Sequence, residues 1–172
     1  MKTTELTRIA LMTAVLCILA PVSIPVPVTS VAFSLATFAI YLMAYILKPR
    51  QALFSVCLYL LLGAAGLPVF AGYLSGISRF ASPNGGYLIG YLLLAGSSCW
   101  TVYRFPNAIL QLSGMFLGTL LMYGTGTLWF AFTTETPLFS ALLAGALVFL
   151  PADIIKMLFA VYIGRKIQHH IK

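Results

Sequence analysis

Residues 105–134 read FPNAILQLSGMFLGTLLMYGTGTLWFAFTT, thirty positions without a charged side chain. About 20 predominantly apolar residues cross a bilayer as a helix, so this stretch is long enough to do so. The pattern repeats outward from it. Residues 80–103, 51–78 and 9–47 also lack Asp, Glu, Lys and Arg. Over all 172 residues, 61% are apolar and 8% charged, where soluble chains run roughly 45–50% and about 25%. This composition excludes a soluble enzyme, a disordered tail and a disulfide-stapled secreted module. It predicts an all-α integral membrane protein.

Proline, glycine and charge divide the apolar material into six predicted helical spans, over residues 4–20, 31–47, 51–65, 86–103, 107–122 and 138–165. PVSIPVPVTS (21–30) holds three prolines and cannot continue a helix. KPR (48–50) and RFPN (104–107) read as tight turns. GTG (124–126) followed by TETP (134–137) reads as a longer connection. The longest non-helical segment is GLPVFAGYLSGISRFASPNGG (66–86), whose Pro68 and several glycines predict an ordered outer loop. No charge-rich linker interrupts the chain, so residues 1–172 read as a single membrane domain.

The charges fix an orientation. Ten basic residues against three acidic ones leave a net charge of +7. With both termini cytoplasmic, Lys2, Arg8, Lys48, Arg50, Arg104, Arg165, Lys166 and Lys172 fall inside. Arg79 alone lies outside and Lys156 lies within the last span, as the positive-inside rule requires. A nucleic-acid partner would need the cations gathered on one solvent face, and none is predicted. The first span lacks an A-x-A-like cleavage site after Ala20 and carries Glu5 where a signal peptide is basic, so it reads as retained. Cys17, Cys57 and Cys99 each lie in apolar runs and read as packing residues.

Asp153 and Lys156, in FLPADIIKMLFA (149–160), are the costly residues. An ionised side chain at the bilayer centre costs about 2.5–3.5 kcal/mol on insertion scales, which makes such residues functional by default. At i, i+3 the two share a helix face, and Pro151 just before them predicts a helix restart. Together they offer an acceptor and a donor to a ligand with adjacent N–H and C=O groups. The outer loop adds Asn84, Tyr87 and Arg79, with Phe70, Tyr73 and Phe80 as cover for an apolar ligand body. Ala10 and Ala14 make a small-xxx-small pair of the kind that lets membrane helices approach. His169 and His170 lie in the basic tail, far from any nucleophile. No metal site, cofactor or nucleotide loop is indicated, and the chain does not read as an enzyme.

Three separated segments, VPVTSVAFSLATFAIYL, YLLLGAAGLPVFAG running into SPNGGYLIGY, and FLPADIIKMLFA, resemble the BioY family. These are the biotin-capture S components of energy-coupling factor (ECF) transporters of prokaryotic cell membranes. Ala152 stands where the family commonly has glycine, and Asn84 where it commonly has threonine. The resemblance implies a six-helix bundle that binds biotin near its outer face and docks on a coupling protein with two cytoplasmic ATPases. It implies that Ala10 and Ala14 meet the coupling protein, that Asp153 and Lys156 hold the biotin head group, and that Asn84 and Tyr87 lie at the ligand. Arg79 or the Asn84 loop is a candidate donor to the biotin carboxylate, and the role of Lys156 between carboxylate and ureido oxygen stays open. Two other readings stand beside this one: an S component for another small vitamin, and a stand-alone secondary transporter of biotin.

Overall fold

The structure, a computed structural model, describes residues 3–24 and 33–171. Lys2, Lys172 and most of the proline-rich segment of residues 21–30 therefore lie outside the described residues. Helix α1 (Thr3–Leu19) leads into a two-stranded antiparallel ribbon, β1 (Ser23–Ile24) with β2 (Phe33–Ser34). Then come α2 (Ala36–Ile46), α3 (Pro49–Ala64), a single turn α4 (Ser78–Ala81), α5 (Gly85–Arg104) and α6 (Ala108–Thr134). The last passage is α7 (Leu138–Leu142), a π-helical turn (Leu143–Leu147) and α8 (Leu150–Ile171).

Helix α2 lies at the centre, with neighbours on α1, α3, α5 and α8. Ala36, Ala39, Ile40, Tyr41 and Met43 on it are fully buried, as expected of a helix apolar on all sides. Its few polar atoms find partners on the surrounding helices. Tyr41 shares a hydrogen bond with Thr119 at 2.6 Å, and the Tyr45 hydroxyl donates to Gln111 Oε1 at 3.0 Å. Thr37, Tyr41 and Tyr45 recur every four residues, so one stripe of α2 carries a ladder of polar contacts along the bundle axis.

Helices α5 and α6 form the most extensive pair. Glycines at i, i+4 on each explain how closely they pack. A Cβ at Gly86 would strike Trp129, and one at Gly90 would crowd Met122. On the facing helix, Cβ atoms at Gly114 and Gly118 would strike Thr101 and Ser97. Small-xxx-small spacing of this type brings helix backbones together without a hydrophobic driving force.

The segment of residues 66–84 is knitted to its surroundings. Gly72 N–H donates to the Pro21 carbonyl at 3.1 Å and Gly76 N–H to the Gly63 carbonyl at 2.8 Å. The Trp129 indole donates to the Ser82 carbonyl at 3.0 Å. Gly66, Gly72 and Gly76 have positive φ, which glycine adopts without Cβ strain.

Three predicted boundaries are corrected. The second helix, predicted over 31–47, begins at Ala36, because Phe33 and Ser34 pair with the ribbon and the Ser34 hydroxyl accepts from Ala36 N–H at 3.0 Å. The fifth helix does not stop at 122. GTG lies inside α6, where Gly126 fits against the Tyr87 ring and the Thr125 hydroxyl returns to the Met122 carbonyl at 3.0 Å. The sixth passage is broken by the π-helical turn before it restarts at Leu150, in register with Pro151 near the new helix start.

Arg8, Lys48, Arg50 and Arg104 line clefts at one end of the bundle, and Arg165 reaches the Pro106 carbonyl there at 3.2 Å. The ribbon, the 66–84 segment and the π-helical turn lie toward the other end. By length and composition, Ala108–Thr134 and Leu138–His169 are each sufficient to cross a membrane. The outer surface is apolar, with Leu11, Ile18, Phe54, Leu117, Phe132 and Phe159 all more than half exposed. A surface of that character suits lipid rather than water.

Candidate functional site

Asp153 enters the protein on the first turn of α8 and Lys156 follows one turn later. Both are buried, and Lys156 Nζ donates to Asp153 Oδ1 at 2.8 Å. The pair is held from three sides. The Thr37 hydroxyl donates to Asp153 Oδ1 at 3.0 Å and accepts from Lys156 at 2.9 Å. The Tyr123 hydroxyl donates to Asp153 Oδ2. Lys156 gives its third hydrogen to the Ser34 carbonyl at 2.7 Å. Its ammonium also sits 3.8 Å from the centre of the Phe33 ring, a cation–π distance. The non-helical backbone before α2 thus has a purpose, since it turns a carbonyl toward the lysine.

An ammonium has three donors and no acceptor, so Lys156 is saturated as it stands. The pair is satisfied by the protein's own groups and needs no guest to complete its hydrogen bonding. A ligand acceptor reaches Lys156 only by replacing one of these three partners. Among the described residues Asp153 Oδ2 has one donor, and it can accept another.

The pair forms one wall of a cavity of about 390 Å³, its opening included, lined also by Phe33, Tyr87, Tyr91, Met122 and Phe149. Small-molecule sites commonly have mostly apolar walls and a few polar groups. Tyr87, on the first turn of α5, is buried and its hydroxyl donates to the Gly145 carbonyl of the π-helical turn at 3.0 Å. Cβ atoms at Gly126 or Gly145 would strike this tyrosine, so two glycines make its seat.

Of the residues singled out from sequence, Asp153, Lys156 and Tyr87 meet at this cavity. Asn84, Arg79 and Phe70 are not among its lining residues. Asn84 precedes α5 as its N-cap residue, and Arg79 lies half-buried on α4. Phe70 is buried in an aromatic cluster, edge-on to Tyr59 at 5.6 Å and to Phe80 at 5.9 Å, with its ring over Gly63. Tyr73 is exposed. Ala10 and Ala14 are exposed on one face of α1, flanked by Leu11 and Ile18. Among the described residues no three His, Cys, Asp or Glu side chains gather as a metal-ligating group.

Sequence reasoning missed Ser34, Thr37, Tyr91 and Tyr123. The available signal was the four-residue recurrence of hydroxyls at Thr37, Tyr41 and Tyr45 in an otherwise apolar helix.

The sequence profile of the BioY family matches residues 1–172. The chain belongs to the BioY family. It is 36% identical over 168 residues to the biotin transporter BioY2 of Lactococcus lactis subsp. cremoris, covering 95% of this chain and 89% of that one. To the probable biotin transporter BioY of Pyrococcus horikoshii it is 32% identical over 174 residues, covering 98% of each. It also resembles the crystal structure of the S component for biotin from an ECF-type ABC transporter. That likeness has a TM-score of 0.89 at 29% identity, over 98% of this chain and 95% of the other. Similarity across the whole length places the α8 pair and the cavity inside the shared BioY fold rather than on an added segment.

Proposed function

We propose that this protein is the biotin-binding S component of an ECF-type vitamin uptake transporter. It would cross a prokaryotic cell membrane six times with both termini cytoplasmic. The observation that carries this reading is the buried Asp153–Lys156 pair on the wall of the cavity. Relatives along the full length that are named as biotin transporters support it.

The ureido ring of biotin presents two N–H donors and a carbonyl acceptor. Asp153 Oδ2 accepts from a ring N–H, and Lys156 turns from one of its internal partners to the ring carbonyl. Phe33, Tyr91, Met122 and Phe149 cover the apolar ring and chain. Arg79 or the Asn84 loop, both outside the cavity lining, would supply the donor for the carboxylate at the far end of the chain. The exposed Ala10–Ala14 face of α1 serves as the docking surface for a membrane coupling protein, which links the chain to two ATPases.

A thermal-shift screen of purified protein with biotin and other vitamins tests the ligand, because a molecule bound only to the folded form raises its stability. The expected result is a shift with biotin alone. A larger shift with another vitamin overturns the biotin assignment. Uptake into reconstituted vesicles without ATPase partners would show instead a self-sufficient transporter.

A further inference from the structure

At the basic end, the start of α3 and the end of α5 border an open cleft of about 1,260 Å³, opening included. Lys48, Arg50 and Arg104 line it against one carboxylate, Glu5, which leaves a net charge of +2. All three cationic side chains are exposed, and none forms an ion pair among the described residues. The same lining is also aromatic. Phe54, Trp100 and Tyr103 are 60%, 56% and 65% exposed, and Trp100 meets Phe105 edge-on at 6.0 Å.

Each half of this arrangement selects something. Arginine guanidinium forks match phosphate oxygens in a bidentate geometry. A small dissolved anion gains nothing from three rings beside it, whereas Trp and Tyr at a membrane interface sit at headgroup depth. Basic pockets between membrane helices on the cytoplasmic side hold acidic headgroups. We propose that this cleft binds the phosphate of an anionic phospholipid, with the cations on the headgroup and the rings along the glycerol and upper chains. The proposal rests on the membrane placement given above and is independent of the biotin cavity, which lies toward the other end.

The test is native mass spectrometry of detergent-purified protein with phosphatidylglycerol or phosphatidylcholine. One cation near an acidic surface is worth about fivefold in affinity. Phosphatidylglycerol adducts are therefore expected to outlast phosphatidylcholine adducts by at least about that factor. Arg50→Gln and Arg104→Gln should each reduce the preference several-fold, and with Lys48→Gln added it should vanish. Arg165→Gln, at the same end but outside the cleft, should leave it unchanged. Biotin affinity in each variant reports whether the fold is intact. Equal retention of the two lipids overturns the proposal, and so does displacement of bound lipid by inorganic phosphate, which assigns the cleft to a soluble anion. Recovery of the protein in solution without detergent would instead refute the membrane placement itself.

Discussion

Lys156 and Asp153, one turn apart on α8, are joined at 2.8 Å inside the bundle. Removing one partner of a buried pair strands the other charge, at a cost of about 3–5 kcal/mol. Lys156→Met should therefore lower thermal stability and abolish biotin binding together. The double variant Asp153→Asn/Lys156→Met removes both charges and should recover most of the stability without recovering binding. Melting curves and calorimetry on the two proteins separate the roles. A double variant that binds biotin normally would reduce the pair to scaffolding.

Tyr123 holds Asp153 Oδ2 from α6. A hydrogen bond to a charged group contributes about 1.5–3 kcal/mol. Tyr123→Phe keeps the ring and loses only that bond, so biotin affinity should fall at least about tenfold, or 1.4 kcal/mol. Calorimetry showing unchanged affinity would remove Tyr123 from the site.

Gly145 leaves room for the Tyr87 hydroxyl. Overpacking a filled site costs about 1–3 kcal/mol. Gly145→Ala should destabilise the protein by about that much in the native background, and by less when Tyr87→Phe has already removed the hydroxyl. Denaturation of the four proteins in this cycle measures the difference. Equal costs in both backgrounds would mean that the added methyl meets something other than Tyr87.

Ala10 and Ala14 are exposed on α1 and are not among the cavity-lining residues. Ala10→Trp or Ala14→Trp should leave biotin affinity within about twofold and stop ATP-driven uptake in vesicles containing the full transporter, since small-xxx-small contacts do not admit a large ring. Undiminished uptake would place the docking surface elsewhere.

Much of this was legible in the chain. Charge-free runs located the helices because ionised groups are excluded from such interiors, and Asp153 and Lys156 stood out for the same reason. Three things were hidden. Thr37 and Tyr123 are ordinary residues in apolar helices, and only the convergence of α2, α6 and α8 turns their hydroxyls onto one carboxylate. GTG looked like a break because glycine frees a helix in water. Between tightly packed helices the missing side chain at Gly126 is instead a seat for Tyr87. The late start of α2 depends on a strand pairing between residues nine and eleven apart, which helix periodicity does not report.

The stitching of residues 66–84 bears on kinetics. A segment sewn to Pro21, Gly63 and Trp129 by hydrogen bonds does not flap as a loose lid would. Any displacement of this segment needs those stitches undone, and a rearrangement of that kind slows whatever association waits on it. Held at three points, the segment behaves as part of the bundle rather than as a hinged flap.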